Sequence, residues 1–218
     1  MINIAIDGPS GSGKSTIARF LAQKLNILYL DTGAMYRACA LKALKLGITE
    51  YTDESVSSFI NDIDLKIEYV DGVQKTILDG EDVSSKIREN AVSMMASNIS
   101  ALKPVRLKMV DMQREVAKGL DCIMDGRDIG THVLPNASHK FYITASSKVR
   151  AERRYKELIE RGQNVDFDTL LAEIEQRDFN DSNREFAPLR QADDAIYLDT
   201  SDMSIEEVLN FVLERIRG

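Results

Sequence analysis

Short apolar runs alternate along the chain with longer stretches in which apolar residues recur at helical spacing. The run INIAI at residues 2–6 is short and rich in β-branched residues, which is typical of a strand buried in a parallel sheet. Residues 14–25 carry apolar side chains on one helical face. These are Ile17, Phe20, Leu21 and Leu25. A strand at residues 27–31 and a helix at residues 34–47, with Gly47 as its end, follow. This order predicts an α/β fold.

Strict alternation of apolar and polar residues replaces the helical spacing at residues 63–82. Leu65, Ile67 and Tyr69 alternate with polar residues, and an Asp-Gly pair at residues 71–72 marks a turn. The pattern predicts an antiparallel hairpin that interrupts the α/β order.

The second half of the chain returns to helices and buried strands. Residues 83–118 have helical spacing, and Pro104 divides them into two helices or one kinked helix. The further predicted elements are strands at 122–125, 140–144 and 194–200, an arginine-rich helical stretch at 148–184, and a helix at 204–216 with Ser204 as its N-cap. The chain has no repeat and no long linker, so we expect a single domain over residues 1–218 with inserted pieces.

Composition and charge exclude several classes of protein. With 44% hydrophobic and 29% charged residues, the composition is that of an ordinary globular chain. The net charge of -7 argues against a nucleic-acid polymer as the main partner, because such binders need a basic surface. Only two cysteines are present, which favours a reducing compartment over a disulfide framework. We find no signal peptide and no run of about 20 apolar residues for a membrane span, so we expect a cytoplasmic protein that binds no membrane.

A phosphate-binding loop opens the first predicted helix. Residues 8–15 match G-x-x-x-x-G-K-[ST] directly after a strand, as a P-loop requires. Backbone N–H groups in such a loop surround the phosphates, Lys14 reaches the β- and γ-phosphates, and the Ser15 hydroxyl binds Mg²⁺. The predicted ATP-binding residues of the loop are Gly8, Pro9, Ser10, Gly11, Ser12, Gly13, Lys14, Ser15 and Thr16.

The rest of the chain narrows the class of P-loop protein. It contains no NKxD motif for reading guanine, and no long ATPase core with a strand that ends in paired acids. At 218 residues it is also too short for most motors and transporters. A small phosphotransferase remains, with ATP as the phosphoryl donor.

Three further motifs could bind the acceptor of the phosphoryl group. They are DTGAMYR at 31–37, DGRDIGT at 125–131 and RDFNDSNR at 177–184. Each also has a simpler interpretation: an exposed helix arginine, a solvated loop and a salt-bridged helix face, respectively. Two of the motifs follow predicted strands, however, and the carboxyl ends of strands in open α/β sheets are where ligands bind.

Taken together, GPSGSGKST, DTGAMYR, DGRDIGT and the R-x-x-x-D-x-x-R spacing resemble the bacterial cytidylate kinase family over essentially the whole chain. The segment LDGEDVSSKIR resembles the insert that separates these enzymes from shorter eukaryotic UMP/CMP kinases. The resemblance implies a three-layer P-loop sandwich with a five-stranded parallel sheet. It also implies an antiparallel NMP-binding insert at about 60–100, and a helical lid with an adjoining substrate-binding helix at about 148–184.

The same resemblance implies the substrates and the residues that bind them. ATP would be the co-substrate with Mg²⁺, and CMP or dCMP the acceptor. Thr32, Arg37 and Arg127 fall where the family binds the CMP phosphate, and Lys14, Arg37 and Arg127 would be catalytic. The positions at which the family reads cytosine are occupied by Ser97, Arg106, Asp128 and Arg184. The positions at which it holds the sugar are occupied by Arg177 and Asp181. Arg154 lies on the lid with Arg150, Arg153 and Arg161, which we expect to close over ATP.

Residue chemistry agrees with cytosine as the base. Cytosine presents an N4 amine donor beside N3 and O2 acceptors, so a carboxylate at Asp128 with arginine and serine donors is the complementary set. Kinases for UMP, AMP, dTMP or shikimate remain alternatives, as does a non-catalytic ATP sensor. Nothing in the sequence indicates a self-complementary surface, so we expect a monomer.

Overall fold

The structure is a computed structural model that describes residues 1–217, apart from the side chain of residue 90. The strands are β1 (Asn3–Asp7), β2 (Leu28–Asp31), β3 (Leu65–Val70), β4 (Val73–Leu78), β5 (Glu81–Asp82), β6 (Cys122–Gly126), β7 (His139–Thr144) and β8 (Ile196–Asp199). The α-helices are α1 (Lys14–Leu25), α2 (Thr32–Lys45), α3 (Asp53–Ile60), α4 (Asn90–Ile99), α5 (Lys103–Ala117), α6 (Ser147–Glu160), α7 (Phe167–Asn183) and α8 (Ile205–Arg217). One 3₁₀ turn at Lys86–Arg88 and a π-helical turn at Ile129–Val133 complete the described elements.

Five parallel strands form the central sheet in the order β2-β6-β1-β7-β8. Side chains of β1 alternate between two hydrophobic cores: Ala5 faces a cluster formed with α2 to α5, while Ile4 and Ile6 face a cluster formed with α1 and α8. The central strands β1 and β6 are therefore buried on both faces, which explains their largely apolar sequences, whereas the edge strand β8 is mostly exposed. The predicted three-layer α/β sandwich with a five-stranded parallel sheet is confirmed.

The register of the sheet brings three loops together at one edge. Asp7 at the end of β1 is level with Gly126 of β6, and Asp31 at the end of β2 is level with Asp125. Because all three strands run in the same direction, the phosphate loop, the start of α2 and the loop after β6 leave the sheet at its carboxyl edge.

A separate three-stranded antiparallel sheet, β3-β4-β5, interrupts the α/β order as predicted. Asp71 and Gly72 both have positive φ, the backbone conformation that a two-residue hairpin turn requires. The small sheet contacts the edge of the main sheet at β2. Tyr69 donates its hydroxyl to the Tyr29 carbonyl at 3.0 Å, and the Gln74 amide exchanges hydrogen bonds with the Asp31 backbone at 2.8 and 3.3 Å.

Three details of the sequence-based elements were wrong. Residues 83–89 form no α-helix and contain only the 3₁₀ turn, because Glu89 is extended (φ -62°, ψ 145°) and α4 begins after it. The helical stretch 148–184 is interrupted between α6 and α7, where Gly162 takes a positive φ and Asp166 caps the next helix. The last strand covers Ile196–Asp199 only. Among residues 1–217, no helix has both the length and the apolar content needed to cross a membrane.

Helix α3 was not predicted, and local capping explains why it forms. The Thr52 hydroxyl accepts the Ser55 N–H at 3.2 Å, and the Ser55 hydroxyl accepts the Thr52 N–H at 3.1 Å. This reciprocal capping box satisfies two N–H groups at the start of an eight-residue helix.

Substitution Thr52→Ala removes the acceptor of this cap, and we expect it to lower the free energy of unfolding by about 1 kcal/mol without changing turnover. Urea denaturation measures the difference. The control is Ser58→Ala on the same helix, whose hydroxyl donates only to the Ser55 carbonyl. We expect a change within about 0.5 kcal/mol for the control. Equal losses in the two variants would show that the cap has no special role.

Candidate active site

The phosphate loop is shaped by glycines that no other residue could replace. Gly8 has φ +147°, and a Cβ atom there would lie 1.9 Å from the carbonyl oxygen of Ile143. Gly13 is the N-cap of α1 in the left-handed region (φ 90°) and has no side-chain cap. The first N–H groups of α1 are therefore free of a capping side chain, and they lie at the positive end of the helix dipole. This arrangement suits an anion.

Lys14 lies at the centre of the loop and is only 4% exposed. Its ammonium Nζ donates to the Pro9 carbonyl at 2.5 Å and to the Ser12 hydroxyl at 3.3 Å, so the side chain folds back onto the loop. Burial, together with the positive charge of Arg127, lowers the pKa of Lys14 to about 7. A phosphate in the loop would restore the preference for the charged amine.

The lowered pKa of Lys14 predicts a pH dependence for use of ATP. Because the amine loses its proton above about pH 7, kcat/KM for ATP should fall at alkaline pH, with a limiting slope of about tenfold per pH unit. Steady-state rates from pH 6 to 9 at saturating acceptor would show this limb. The matched variant is Lys14→Arg, whose guanidinium keeps its proton, and its residual activity should show no such limb. A limb that persists unchanged in Lys14→Arg would assign the titration to another group.

Ser15 and Asp125 meet beside Lys14 and offer a magnesium site. The Ser15 hydroxyl donates to Asp125 Oδ2 at 2.7 Å, and the Tyr29 hydroxyl donates to Asp125 Oδ1 at 2.8 Å. Burial and the neighbouring Asp31 carboxylate raise the pKa of Asp125, a repulsion that a cation would relieve. Within residues 1–217 no cluster of three metal-ligating side chains is found. One hydroxyl and one carboxylate fit Mg²⁺, which binds to few protein groups and keeps waters and substrate phosphates.

Arginine and carboxylate side chains pair along the other side of the cleft. Arg37 contacts Asp31 at 2.9 Å, Arg127 contacts Asp181 at 2.8 Å, and Arg106 contacts Asp128 at 2.5 Å. Arg184 lies between the last two carboxylates, 3.8 Å from Asp128 and 3.9 Å from Asp181. Helix α5, the loop after β6 and the end of α7 therefore bring five predicted substrate-binding residues into one buried network: Arg106, Arg127, Asp128, Asp181 and Arg184. Arg37, on α2, pairs separately with Asp31.

The charges in this network influence one another. Burial opposes ionisation of Asp181, but the charges of Arg127 and Arg177 hold its pKa below the usual value. Burial lowers the pKa of Arg177 and of Arg184 to about 10 each, so both keep their protons at neutral pH in an environment that disfavours them. An anionic ligand would stabilise these cations.

Several N–H groups of the arginines that are predicted to bind the acceptor have no acceptor atom among the described residues. They are Arg37 Nε, Arg106 Nε, Arg177 Nε and Arg184 Nη2, all fully buried. Buried donors normally have partners, and leaving one unpaired costs about 1–3 kcal/mol. A ligand with several acceptor atoms, such as a phosphate or a base carbonyl, would satisfy them.

Asp7 fixes the loop that carries Arg127 and Asp128. It accepts the Ile129 N–H through Oδ1 and the Gly130 N–H through Oδ2, each at 2.7 Å. Burial, acting against these two hydrogen bonds, raises the pKa of Asp7 to about 7. The last residue of β1, directly before the phosphate loop, thus positions the loop that carries Arg127 and Asp128, two of the predicted acceptor-binding residues.

The remaining predicted acceptor-binding residues are Ser97, Thr32 and Arg177, which lie on α4, α2 and α7. Ser97 is half-buried near the end of α4, and Arg106 reaches that helix end by donating to the Ser100 carbonyl at 3.0 Å. Thr32 is buried, and its hydroxyl donates to the Asp125 carbonyl at 2.7 Å. Arg177 lies on α7, one residue before Asp178.

A cavity of about 630 Å³ opens beside the phosphate loop. Its walls include Gly11 to Thr16, Arg154 of α6, and Met203 to Ile205 before and at the start of α8. Arg154 pairs with Glu157 at 2.8 Å and lies at the cavity wall, and its role in binding ATP stays a prediction. The volume is that of a pocket for a nucleotide-sized ligand.

Two of the other arginines expected to close over ATP have different partners. Arg150 and Arg153 also line the cavity, but Arg150 is buried and Arg153 donates to the Thr200 carbonyl at 2.7 Å. Arg161 pairs with Glu157 on the surface of α6. Helical spacing placed these arginines on one segment, but it could not show which of them point inward to carbonyl groups.

Comparison with known proteins decides the family. A model of the family described as cytidylate kinase matches residues 4–218. The chain belongs to the cytidylate kinase family. A cytidylate kinase of Caldicellulosiruptor bescii is 54% identical over 213 residues, which are 98% of this chain and 94% of that protein. One of Clostridium botulinum is 46% identical over 216 residues, 99% of this chain and 98% of that protein.

The fold also agrees with that of a solved kinase outside the cytidylate kinase family. Shikimate kinase from Acinetobacter baumannii in complex with shikimate superposes with a TM-score of 0.50 at 14% identity, covering 99% of this chain and 93% of that one. At this identity the similarity supports the P-loop kinase fold alone.

Two acidic residues of the site were missed by sequence reasoning. Asp125 is the penultimate residue of the buried strand β6, and this position was a usable signal, because P-loop proteins hold the metal with such an acid. A single acid, with no second acid next to it, is enough for that role. Asp7 gave no local signal, since its partners lie 122 and 123 residues away.

Proposed function

We infer that this chain transfers the γ-phosphoryl group of ATP to the phosphate of CMP or dCMP, giving ADP and CDP or dCDP. Membership of the cytidylate kinase family supports the acceptor, and one observation in the site carries the assignment. The buried carboxylate of Asp128, 3% exposed, lies beside the donors of Arg106 and Arg184. A cytosine ring needs that combination, with the carboxylate accepting from N4 and the arginines donating to N3 or O2.

The phosphoryl donor would occupy the cavity beside the phosphate loop. The N–H groups at the start of α1 and the Lys14 ammonium would bind the β- and γ-phosphates, and Arg154 lies at the wall of the same cavity. Lys14 must exchange the Pro9 carbonyl for a phosphate oxygen, which its flexible side chain permits.

The acceptor phosphate would bind between Arg37 and Arg127. Both arginines are paired with a carboxylate, Asp31 and Asp181. Arg37 lies on α2, which starts directly after β2, and Arg127 lies in the loop after β6, so both stand at the carboxyl edge of the sheet. The Thr32 hydroxyl could join them by giving up its bond to the Asp125 carbonyl. Arg177 and Asp181 on α7 would hold the sugar, and Ser97 would complete the contacts with the base.

A divalent cation fits between the two substrates. Ser15 and Asp125 would hold Mg²⁺, which neutralises charge on the transferring phosphates when it is bound. Lys14, Arg37 and Arg127 converge on the same region and stabilise the charge that spreads over the phosphoryl oxygens. The acceptor is itself an anionic oxygen, so the transfer needs no general base and no covalent enzyme intermediate. Alignment of the two substrates supplies most of the catalysis.

We place the enzyme in the cytoplasm as a monomer. Both cysteines, Cys39 and Cys122, are buried free thiols in the described part of the chain, in keeping with a reducing compartment.

An ADP-release assay with Mg-ATP tests the proposal by comparing CMP, dCMP, UMP, AMP and shikimate as acceptors. We expect strong turnover with CMP and dCMP and weak turnover with UMP. Preference for another acceptor would leave the phosphate loop assignment intact and overturn the cytosine-binding residues. Binding of ATP without acceptor-dependent ADP release would instead indicate a nucleotide sensor.

A further inference from the structure

Arg150 joins three segments of the protein that the proposed mechanism treats separately. It is 3% exposed and lies in the first turn of α6. Its Nε donates to the Ala145 carbonyl at 2.8 Å, and its Nη1 donates to the Ser10 carbonyl at 3.0 Å and to Asp178 Oδ1 at 3.0 Å. Nη2 completes a two-pronged contact with Asp178. A planar guanidinium with four such bonds holds a fixed orientation.

One end of this connection is the phosphate loop. Ser10 belongs to the loop, and the next residue, Gly11, packs directly on Arg150: a Cβ atom at Gly11 would lie 3.4 Å from the Cβ of Arg150. A change in the backbone of residues 10–11 when phosphates bind would therefore be felt at the guanidinium.

The other end is helix α7. Asp178 directly follows Arg177, and Asp181 lies one turn further along and pairs with Arg127 at 2.8 Å. Because all three residues belong to one helix, the contact of Asp178 with Arg150 fixes the position and rotation of α7, and with them the positions of Arg177 and Asp181 in the acceptor site. Ser147 of α6 adds a second contact by donating to Glu175 of α7 at 2.9 Å.

We propose that the Arg150–Asp178 pair is a positioning device that couples the two substrate sites, so that occupation of the phosphate loop raises the affinity for CMP. The inference rests on the proposed function, because it takes Arg177 and Asp181 as acceptor-binding residues. Neither Arg150 nor Asp178 needs to contact a substrate. The pair transmits the position of the Ser10 carbonyl to α7 through hydrogen bonds of fixed geometry.

The test is the coupling factor, defined as the Kd for CMP of the free enzyme divided by the Kd with a non-hydrolysable ATP analogue and Mg²⁺ bound. Isothermal titration calorimetry measures both values. We expect a factor of about five or more for the unmodified enzyme. In Asp178→Asn the factor should fall below about two, while the Kd for CMP of the free enzyme changes little. Arg150→Lys, which keeps the charge but cannot reach all three acceptors, should lose most of the coupling as well.

The matched control is Asp194→Asn. Asp194 pairs with the buried Lys140, at 2.7 and 2.9 Å, and Lys140 donates its other hydrogen bond to the Pro135 carbonyl, not to the phosphate loop. Asp194→Asn should keep the full coupling factor, even if Asp194→Asn and Asp178→Asn lose similar amounts of stability. A wild-type factor near one, or a full factor in Asp178→Asn, would overturn the proposal. Failure of the proposed function looks different: Asp181→Asn would then leave the Kd for CMP unchanged.

Discussion

Replacement of Lys14 by methionine is expected to lower kcat by on the order of 10³. Methionine keeps most of the length and apolar volume of the side chain but removes the only ammonium group within the phosphate loop. Lys14 is nearly buried and lies among the N–H groups that would surround the phosphates. Its charge therefore acts on the transferring group in a water-poor setting, where electrostatic interactions are strongest.

The loss should fall on turnover rather than on binding of the acceptor. Steady-state assays with CMP varied at saturating Mg-ATP would measure both, and the KM for CMP should stay within about threefold, because uniform binding at that site is unchanged. The matched control is Lys24→Met, an exposed lysine near the end of the same helix, which should retain full activity. A tenfold or smaller loss in Lys14→Met would mean that other groups carry the charge stabilisation.

Substitution Asp128→Asn is expected to lower kcat/KM for CMP by about 10²–10³ and to reduce discrimination against UMP. The carboxylate of Asp128 accepts hydrogen bonds only, which suits the cytosine N4 amine. An asparagine amide can turn its NH₂ group toward the O4 carbonyl that uracil presents at the same place. Assays with each acceptor give kcat/KM for CMP divided by kcat/KM for UMP. In Asp128→Asn this ratio should fall by a larger factor than kcat/KM for UMP does.

Damage to the fold is the competing explanation, because Arg106 and Asp128 form a pair that is almost fully buried. Burial would lower the pKa of Arg106, but its electrostatic interactions with Tyr36 and Asp128 keep that pKa above its usual value. Loss of the Asp128 carboxylate therefore leaves a buried cation without its partner. Asp128→Glu keeps the charge and serves as the second variant. If both variants lose activity on CMP and UMP in equal proportion, Asp128 supports the structure and does not read the base.

The sheet and the phosphate loop could be predicted because their signals are local. Runs such as INIAI and CIMD are apolar on both faces of the strand, and the glycines of the loop stand at fixed spacing before a helix. Helix α3 was missed although Val56, Phe59 and Ile60 recur at helical spacing, because the helix has only eight residues and its start depends on the hydroxyl groups of Thr52 and Ser55.

Side-chain pairing in the site could not be predicted in the same way. Asp7 contacts Ile129 and Gly130 only because β1 and β6 are neighbours in the sheet. The sequence of a single segment does not show which strands will pair. Likewise, Arg150, Arg153 and Arg154 of α6 all line the cavity beside the phosphate loop, yet their hydrogen-bond partners differ: Arg150 pairs with Asp178, Arg153 with the Thr200 carbonyl and Arg154 with Glu157. Residue type gave the chemistry of the acceptor site, and tertiary structure decided which partners each group has.

The most direct test of the acceptor site is a crystal structure of the enzyme with CMP, Mg²⁺ and a non-hydrolysable ATP analogue. We expect the cytosine N4 atom within about 3.2 Å of an Asp128 carboxylate oxygen, and the CMP phosphate between Arg37 and Arg127. Its nearest phosphate oxygen should face the γ-phosphate that Lys14 contacts. CMP bound elsewhere, or a base turned away from Asp128, would contradict the proposed mechanism.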